Sequence, residues 1–166
     1  MCGIVYMGLG SNLGDRRKNM KDALARISDR VGVLRAVSGF YETQPWGFDS
    51  HELFLNVAVE VGTRLSPAEL LEATQAIERD SGRQDKTING EYRDRTMDID
   101  ILLYDDQVIH TPSLTIPHPL MHQRAFVLQP LAEIAPHAIH PVIGQSIAEL
   151  YAGIGGSLSV SIPTCF

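Results

Sequence analysis

The chain has 166 residues, 44% of them hydrophobic, enough for one domain to bury a core without disulfides or metals. Its net charge of −6 excludes a general nucleic-acid binder, which needs a basic surface, and no apolar run is long enough to span a membrane. The opening Met1-Cys2-Gly3-Ile4-Val5 has no basic region or cleavage-site pattern, and Cys2 and Cys165 sit in no metal or redox spacing, so a cytoplasmic protein with unpaired thiols is expected.

Residues 3–9 read as a buried strand, and Gly10-Ser11-Asn12-Leu13-Gly14-Asp15 as a turn in which Asp15 caps a helix running to about Arg30. Met20, Leu24 and Ile27 give that helix its apolar spacing. The glycines at 8, 10 and 14 match neither G-x-x-x-x-G-K-[ST] nor the dinucleotide fingerprint and read as a structural turn rather than a phosphate loop. Residues 33–42 read as one strand, with Val33, Val37 and Tyr41 on one face and Leu34, Ala36 and Phe40 on the other. Pro45 and Gly47 place residues 43–50 in a loop. From Leu53 to Val61 the pattern alternates cleanly: Leu53, Leu55, Val57, Val59 and Val61 form an apolar face, and Phe54, Asn56, Ala58 and Glu60 point the other way.

Ser66-Pro67-Ala68-Glu69 carries an N-cap serine, a proline at the first helical position and a glutamate at N3, predicting a helix to about Asp80 that stops near Gly82. A charged loop over 82–94, with a turn at Asn89-Gly90, leads into a strand from Thr96 to Tyr104. Asp105-Asp106-Gln107 turns into a short strand at Val108-Ile109. A helix over Phe126–Ile134 ends before Pro136, and a short helix near Ile147–Tyr151 and a strand near Leu158–Ile162 complete the chain. With no repeat and no linker, residues 1–166 read as a single domain. The order strand–helix–strand–strand–helix–strand predicts an α+β ferredoxin-like sandwich, a largely antiparallel sheet with helices packed on its faces.

The chemistry concentrates in Arg93-Asp94-Arg95-Thr96-Met97-Asp98-Ile99-Asp100-Ile101-Leu102-Leu103. On a strand Asp98 and Asp100 share one face, while Met97, Ile99, Ile101 and Leu103 share the other. Two adjacent carboxylates repel unless a cation sits between them, and Mg²⁺ with water and substrate phosphates is the usual solution. An exposed strand face carrying two surface aspartates would give the same pattern. Arg83 and Arg95 flank the pair, and guanidinium groups opposite a metal are what phosphoryl-type transfer requires. Gln75 and Glu78 fall on one helical face and can point the same way. His118, boxed by Pro117 and Pro119 and close to His122 and Arg124, is a candidate phosphate contact.

These blocks, in this order, resemble the 6-hydroxymethyl-7,8-dihydropterin pyrophosphokinases of folate biosynthesis: Gly10-Ser11-Asn12-Leu13-Gly14-Asp15, Ser38-Gly39-Phe40-Tyr41-Glu42-Thr43, Phe54-Leu55-Asn56, Ile77-Glu78 with Gly82-Arg83, Arg95 through Ile101, and Pro117-His118-Pro119 with Arg124-Ala125-Phe126. The resemblance runs from Tyr6 to about Ile147 and implies an ATP-dependent enzyme that makes AMP and a pterin pyrophosphate. It further implies that Asp98 and Asp100 bind two Mg²⁺ ions, and that Arg83 and Arg95 stabilise the transferred group. Gln75, Glu78, Thr115, His118 and Arg124 would contact ATP, and Thr43, Trp46, Phe54, Asn56 and Phe126 would form the pterin pocket. Aromatic rings suit a flat heterocycle, and an amide suits its donor–acceptor edge. Tyr92 and Asp94 stand where many members have tryptophan and proline, and Gln44 where proline is usual. Segments 44–51 and 82–94 are expected to close over the substrates and exclude water. The expected partners are ATP and a reduced pterin, with no nucleic acid and no membrane, in a monomer. The rival readings are a metal-dependent nucleotidyltransferase, which attacks the α-phosphorus, and a ferredoxin-like module that binds RNA or a protein.

Overall fold

A computed structural model describes residues 2–43, 53–82, 97–154 and 160–162. Its elements are β1 (Gly3–Ser11), α1 (Arg16–Arg30), β2 (Gly32–Val37), β3 (Phe40–Thr43), β4 (Phe54–Thr63), α2 (Pro67–Asp80), β5 (Asp98–Tyr104), the short strands β6 (Ile109–His110) and β7 (Thr115–Ile116), α3 (Ala125–Ile134), α4 (Ile147–Gly153) and β8 (Val160–Ile162). The main sheet runs β5-β1-β4-β3-β8, with β2 also on β4, and every pairing in it is antiparallel. The order β1-α1-β2/β3-β4-α2-β5 carries the expected α+β connectivity.

Helix starts follow the sequence closely. The Asp15 side chain accepts from Lys18 N at 3.1 Å, and Gly14, at φ 72°, takes the left-handed conformation that the turn before it needs. Ser66 and Glu69 form a reciprocal capping box at the start of α2, and Ser146 and Glu149 form another at α4.

The sheet separates two cores. Odd-numbered residues of β1 and β4 (Val5, Met7, Leu9, Leu55, Val57, Val59, Val61) join Met20, Leu24 and Ile27 of α1 and Leu70 and Ile77 of α2. On the opposite face Ala58, Leu102 and Leu103 pack with Val127, Leu128 and Leu131 of α3 and Ile147 and Leu150 of α4. The alternation expected of β4 is therefore borne out along the strand.

Two expectations need correction. Residues 33–42 form two strands, not one: Ser38 N donates to Ala58 O at 2.9 Å, and the Ser38 hydroxyl accepts from Ala58 N at 2.9 Å, a position that a backbone carbonyl would fill in a continuous strand. Gly39 N instead donates to the Glu133 carboxylate of α3 at 3.1 and 3.2 Å, and the Tyr41 hydroxyl donates to the same carboxylate. A bulge between Leu34 and Ala36 also resets the faces, so Leu34 and Val37 pack on the same core while Val33 is 70% exposed. In β5 the register shifts between the Tyr6 and Met7 pairings, which puts Leu103 on the α3 side rather than with Ile99 and Ile101.

Candidate active site

The bulge in β5 lies beyond the two aspartates and leaves their geometry intact. Asp98 and Asp100 stand on one face while Met97, Ile99 and Ile101 are buried beneath α1 and α2. Asp98 pairs with Gly10 of β1, and Gly10 pairs with Asn56 of β4. One register step along, Asp100 pairs with Gly8, and Gly8 with Ala58. Neighbouring strands lie about 4.8 Å apart, so Asp98 and Asn56 are roughly 10 Å apart across a row whose middle member has no side chain.

This strip is bare because glycine occupies it. A Cβ at Gly10 would lie 3.2 Å from Asn56 Oδ1 and 3.4 Å from Phe54 Cδ1. Gly8 lies in the strand expected over residues 3–9, whereas Gly10 and Ser11, expected in the turn, extend it, because β4 and β5 hydrogen-bond β1 on both sides. The spacing of two between Gly8 and Gly10, which points both toward one sheet face, was the available signal.

Beyond the strip lie the residues expected around a pterin. Asn56 and Thr43 are buried, and Asn56 Nδ2 donates to Thr43 Oγ1 at 2.6 Å, which fixes the amide orientation. Phe54 pairs with Thr43 at the end of the β3–β4 ladder and is half-buried. Phe126, in the first turn of α3, packs at the edge of the second core with the Arg124 guanidinium 5.7 Å from its ring centroid.

His118 approaches from the other side. Its backbone N donates to Leu102 O at 3.0 Å, docking the loop after β7 onto β5. Its Nδ1 accepts from Leu120 N at 3.2 Å, so the neutral ring carries its proton on Nε2, 3.8 Å from Asp100 Oδ1. Burial pushes the His118 pKa down to about 4; the Arg124 charge adds to this and Asp98 opposes it. At neutral pH the ring is an uncharged donor aimed toward the carboxylates. Thr115 pairs with His110 in the β6–β7 hairpin and is half-buried.

The two candidates on α2 part company. Gln75 is exposed, whereas Glu78 is buried and its Oε2 accepts from Ile99 N at 2.8 Å. Glu78 thus holds the backbone between the two aspartates from the α2 side of the sheet. Arg83 and Arg95, Trp46, the Asn89-Gly90 turn and, Gly82 apart, the segments expected to close lie outside the described residues.

Among the described residues no group of three or more His, Cys, Asp or Glu forms a ready metal cage. A carboxylate pair beside a bare strip nevertheless suits Mg²⁺, which uses one or two carboxylates and completes its shell with water and substrate phosphates. The donor set fits that ion better than it fits zinc.

Carboxylates suited to a phosphate-bound cation on one side of an open strip, and an oriented amide on the other, are the arrangement expected of an enzyme that works on a phosphorylated co-substrate and a small acceptor. Comparison with known proteins sharpens that class. The family model described as 7,8-dihydro-6-hydroxymethylpterin-pyrophosphokinase matches residues 6–136, and the chain belongs to this family. It is 50% identical over 139 residues to the 2-amino-4-hydroxy-6-hydroxymethyldihydropteridine pyrophosphokinase of Porphyromonas gingivalis, covering 83% of this chain and 94% of that one. The Bacillus subtilis enzyme of the same name is 47% identical over 135 residues, 81% of this chain and 79% of its own. The fold resembles wild-type Plasmodium falciparum HPPK-DHPS with STZ-DHP at a TM-score of 0.75 and 17% identity, covering 92% of this chain and 43% of that longer one.

Proposed function

We propose that this chain transfers the pyrophosphoryl group of ATP to the hydroxyl of 6-hydroxymethyl-7,8-dihydropterin, giving AMP and the pterin pyrophosphate, as a step of folate biosynthesis. The observation that supports the reading is the Asp98–Gly10–Asn56 row, which puts a carboxylate and an amide two strands apart on one face, where a cation and a heterocycle would bind. The pterin oxygen forms a bond to the β-phosphorus, the bond from that phosphorus to the oxygen bridging to the α-phosphate breaks, AMP departs, and the hydroxyl proton passes to solvent.

Asp98 and Asp100 would hold two Mg²⁺ ions. Bound there, the ions would supply charge neutralisation on the phosphate oxygens. Gln75, Thr115, His118 and Arg124 would contact ATP, and Glu78 would serve that side through the strand it anchors. Arg83 and Arg95 would meet the charge of the transferred group, and Thr43, Trp46, Phe54, Asn56 and Phe126 would enclose the pterin. The neutral His118 ring donates to phosphate without adding a charge beside Arg124, which favours the assignment. A single catalytic domain over residues 1–166, monomeric and cytoplasmic, completes the reading; no helix among the described residues is long and apolar enough to cross a membrane.

The test is product analysis with ATP, Mg²⁺ and the reduced hydroxymethyl-pterin. AMP formed in step with pterin consumption, and absent without pterin, is the expected result. Free pyrophosphate with an adenylated acceptor would instead establish a nucleotidyltransferase, and folded protein without pterin-dependent turnover a binding module.

A further inference from the structure

The first turn of α1 carries Arg16, Arg17 and Lys18 and no acidic residue, the reverse of what the positive end of a helix dipole favours. Two of these cations have evident local partners: Lys18 pairs with Asp22 at 2.7 Å, and Arg17 lies 5.9 Å from the Phe40 ring centroid. Arg16 reaches away from its helix altogether. Its Nη1 donates to Leu53 O at 2.8 Å and its Nη2 to Glu42 Oε1 at 3.0 Å, with about three-quarters of the side chain shielded from solvent (relative exposure 26%).

These acceptors sit at the last rungs of the β3–β4 ladder. Glu42 pairs with Leu55, the next rung joins Thr43 to Phe54, and Leu53 immediately precedes Phe54. Leu55 faces the core beneath α1, so Glu42 and the Arg16 guanidinium lie on that side. Thr43, Phe54 and Asn56 face the opposite way. One planar fork therefore ties both strands together behind the surface that carries the proposed pterin contacts, without reaching that surface.

We propose that Arg16 is a positioning residue for the acceptor substrate: by bridging Glu42 and Leu53 O it holds the ends of β3 and β4 in the register that presents Thr43, Phe54 and Asn56 as one surface. This rests on the pterin-pocket reading above. Both arms of the fork are used, so lysine, a single point donor, cannot replace it. A cavity of roughly 240 Å³ lined by Gly14, Asp15, Arg16, Arg17, Glu42 and Leu55 opens beside the guanidinium, giving a small guanidinium compound access to the position.

The experiment measures kcat and the KM values for pterin and ATP in Arg16→Ala, Arg16→Lys and Asn56→Ala, with thermal melts of each. Arg16→Ala and Arg16→Lys are expected to raise the pterin KM about tenfold, the scale of a lost charge-assisted hydrogen bond, with ATP KM and kcat little changed. Methylguanidine at a non-denaturing concentration is expected to restore the pterin KM of Arg16→Ala, and methylamine to leave it raised. If Arg16→Ala does not fold, Arg16→Gln, which keeps one donor arm, is read in the same way. An unchanged pterin KM, an equal rise in both KM values, or full rescue by lysine overturns the proposal. If Asn56→Ala leaves the pterin KM unchanged, the pocket reading fails and the positioning role with it; if Asn56→Ala raises it and Arg16→Ala does not, only the role of Arg16 is lost.

Discussion

Asp98 and Gly10 face each other across the β5–β1 ladder, so the carboxylate has bare backbone as its neighbour on the way to Asn56. A methyl group at position 10 would stand 3.2 Å from Asn56 Oδ1, the oxygen of an amide already held by Thr43. Gly10→Ala must push the amide or the Phe54 ring aside. We expect the pterin KM to rise about tenfold or more, and stability to fall by about 1–2 kcal/mol from the strained contact. Steady-state kinetics and urea melts separate the two effects; an unchanged KM would show that the strip is not part of the acceptor path.

The carboxylates themselves offer a cleaner separation of activity from stability. Neither Asp98 nor Asp100 belongs to the buried core, and the two stand half-buried on one face of β5. Asp98→Ala and Asp100→Ala should each lower turnover by about a thousandfold or more, as removal of a metal ligand does, while the melting temperature holds or rises as like-charge repulsion is relieved. Turnover measured across a Mg²⁺ titration checks this. Wild-type rates at ordinary Mg²⁺ in either variant would remove the pair from the metal site.

The legible parts of this site were those that depend on period alone. Asp98 and Asp100 share a face because two residues of strand separate them, and the bulge at Leu102 comes too late to disturb that. The same bulge made Leu103 unreadable, since nothing in Ile101-Leu102-Leu103 marks an extra residue in the ladder. Ser38 concealed its role for a similar reason: a hydroxyl standing in for a carbonyl is a tertiary event, set by Ala58 and Glu133 from distant parts of the chain. Gly10-Ser11 suggests a turn by composition, and strand pairing with β4 overrides that propensity. Glu78 looked like a partner of Gln75 on an open helix face, but α2 docks against β5 and buries it.

That burial makes Glu78 a stability residue with a measurable signature. Its carboxylate receives Ile99 N at 2.8 Å in a buried setting, between the two aspartates in sequence. Glu78→Ala leaves a buried N–H without that acceptor and should cost about 1–3 kcal/mol of folding stability. Glu78→Gln keeps an acceptor oxygen and should recover most of the loss. Urea denaturation of both variants, beside their ATP KM values, distinguishes a strand anchor from a direct nucleotide contact. A large ATP KM change with no loss of stability would assign Glu78 to the nucleotide instead.

The turn before α4 predicts how stability responds to acid. His140 Nδ1 accepts from Val142 N at 3.3 Å and Ile143 N at 3.1 Å, its backbone N donates to Gln145 O, and its carbonyl receives Gly144 N. Protonation would place an N–H where two N–H groups already point. Burial lowers the His140 pKa, and the charge of His122, whose ring lies 6.2 Å away edge-on, lowers it further. A histidine whose folded pKa lies below its unfolded value binds fewer protons when folded, so stability contributed here is fully present above the unfolded pKa of about 6.5 and falls as the pH drops below it. Asparagine offers an oxygen close to where Nδ1 stands and does not titrate. His140→Asn should therefore match the wild type at about pH 8 and lose less stability than the wild type between about pH 6.5 and pH 5. Thermal melts across that range test it as a difference, which cancels the histidines that do not interact with His140, His118 among them. Parallel curves for the two proteins would mean that the turn tolerates the charged ring, and that the acceptor role of Nδ1 contributes nothing to stability.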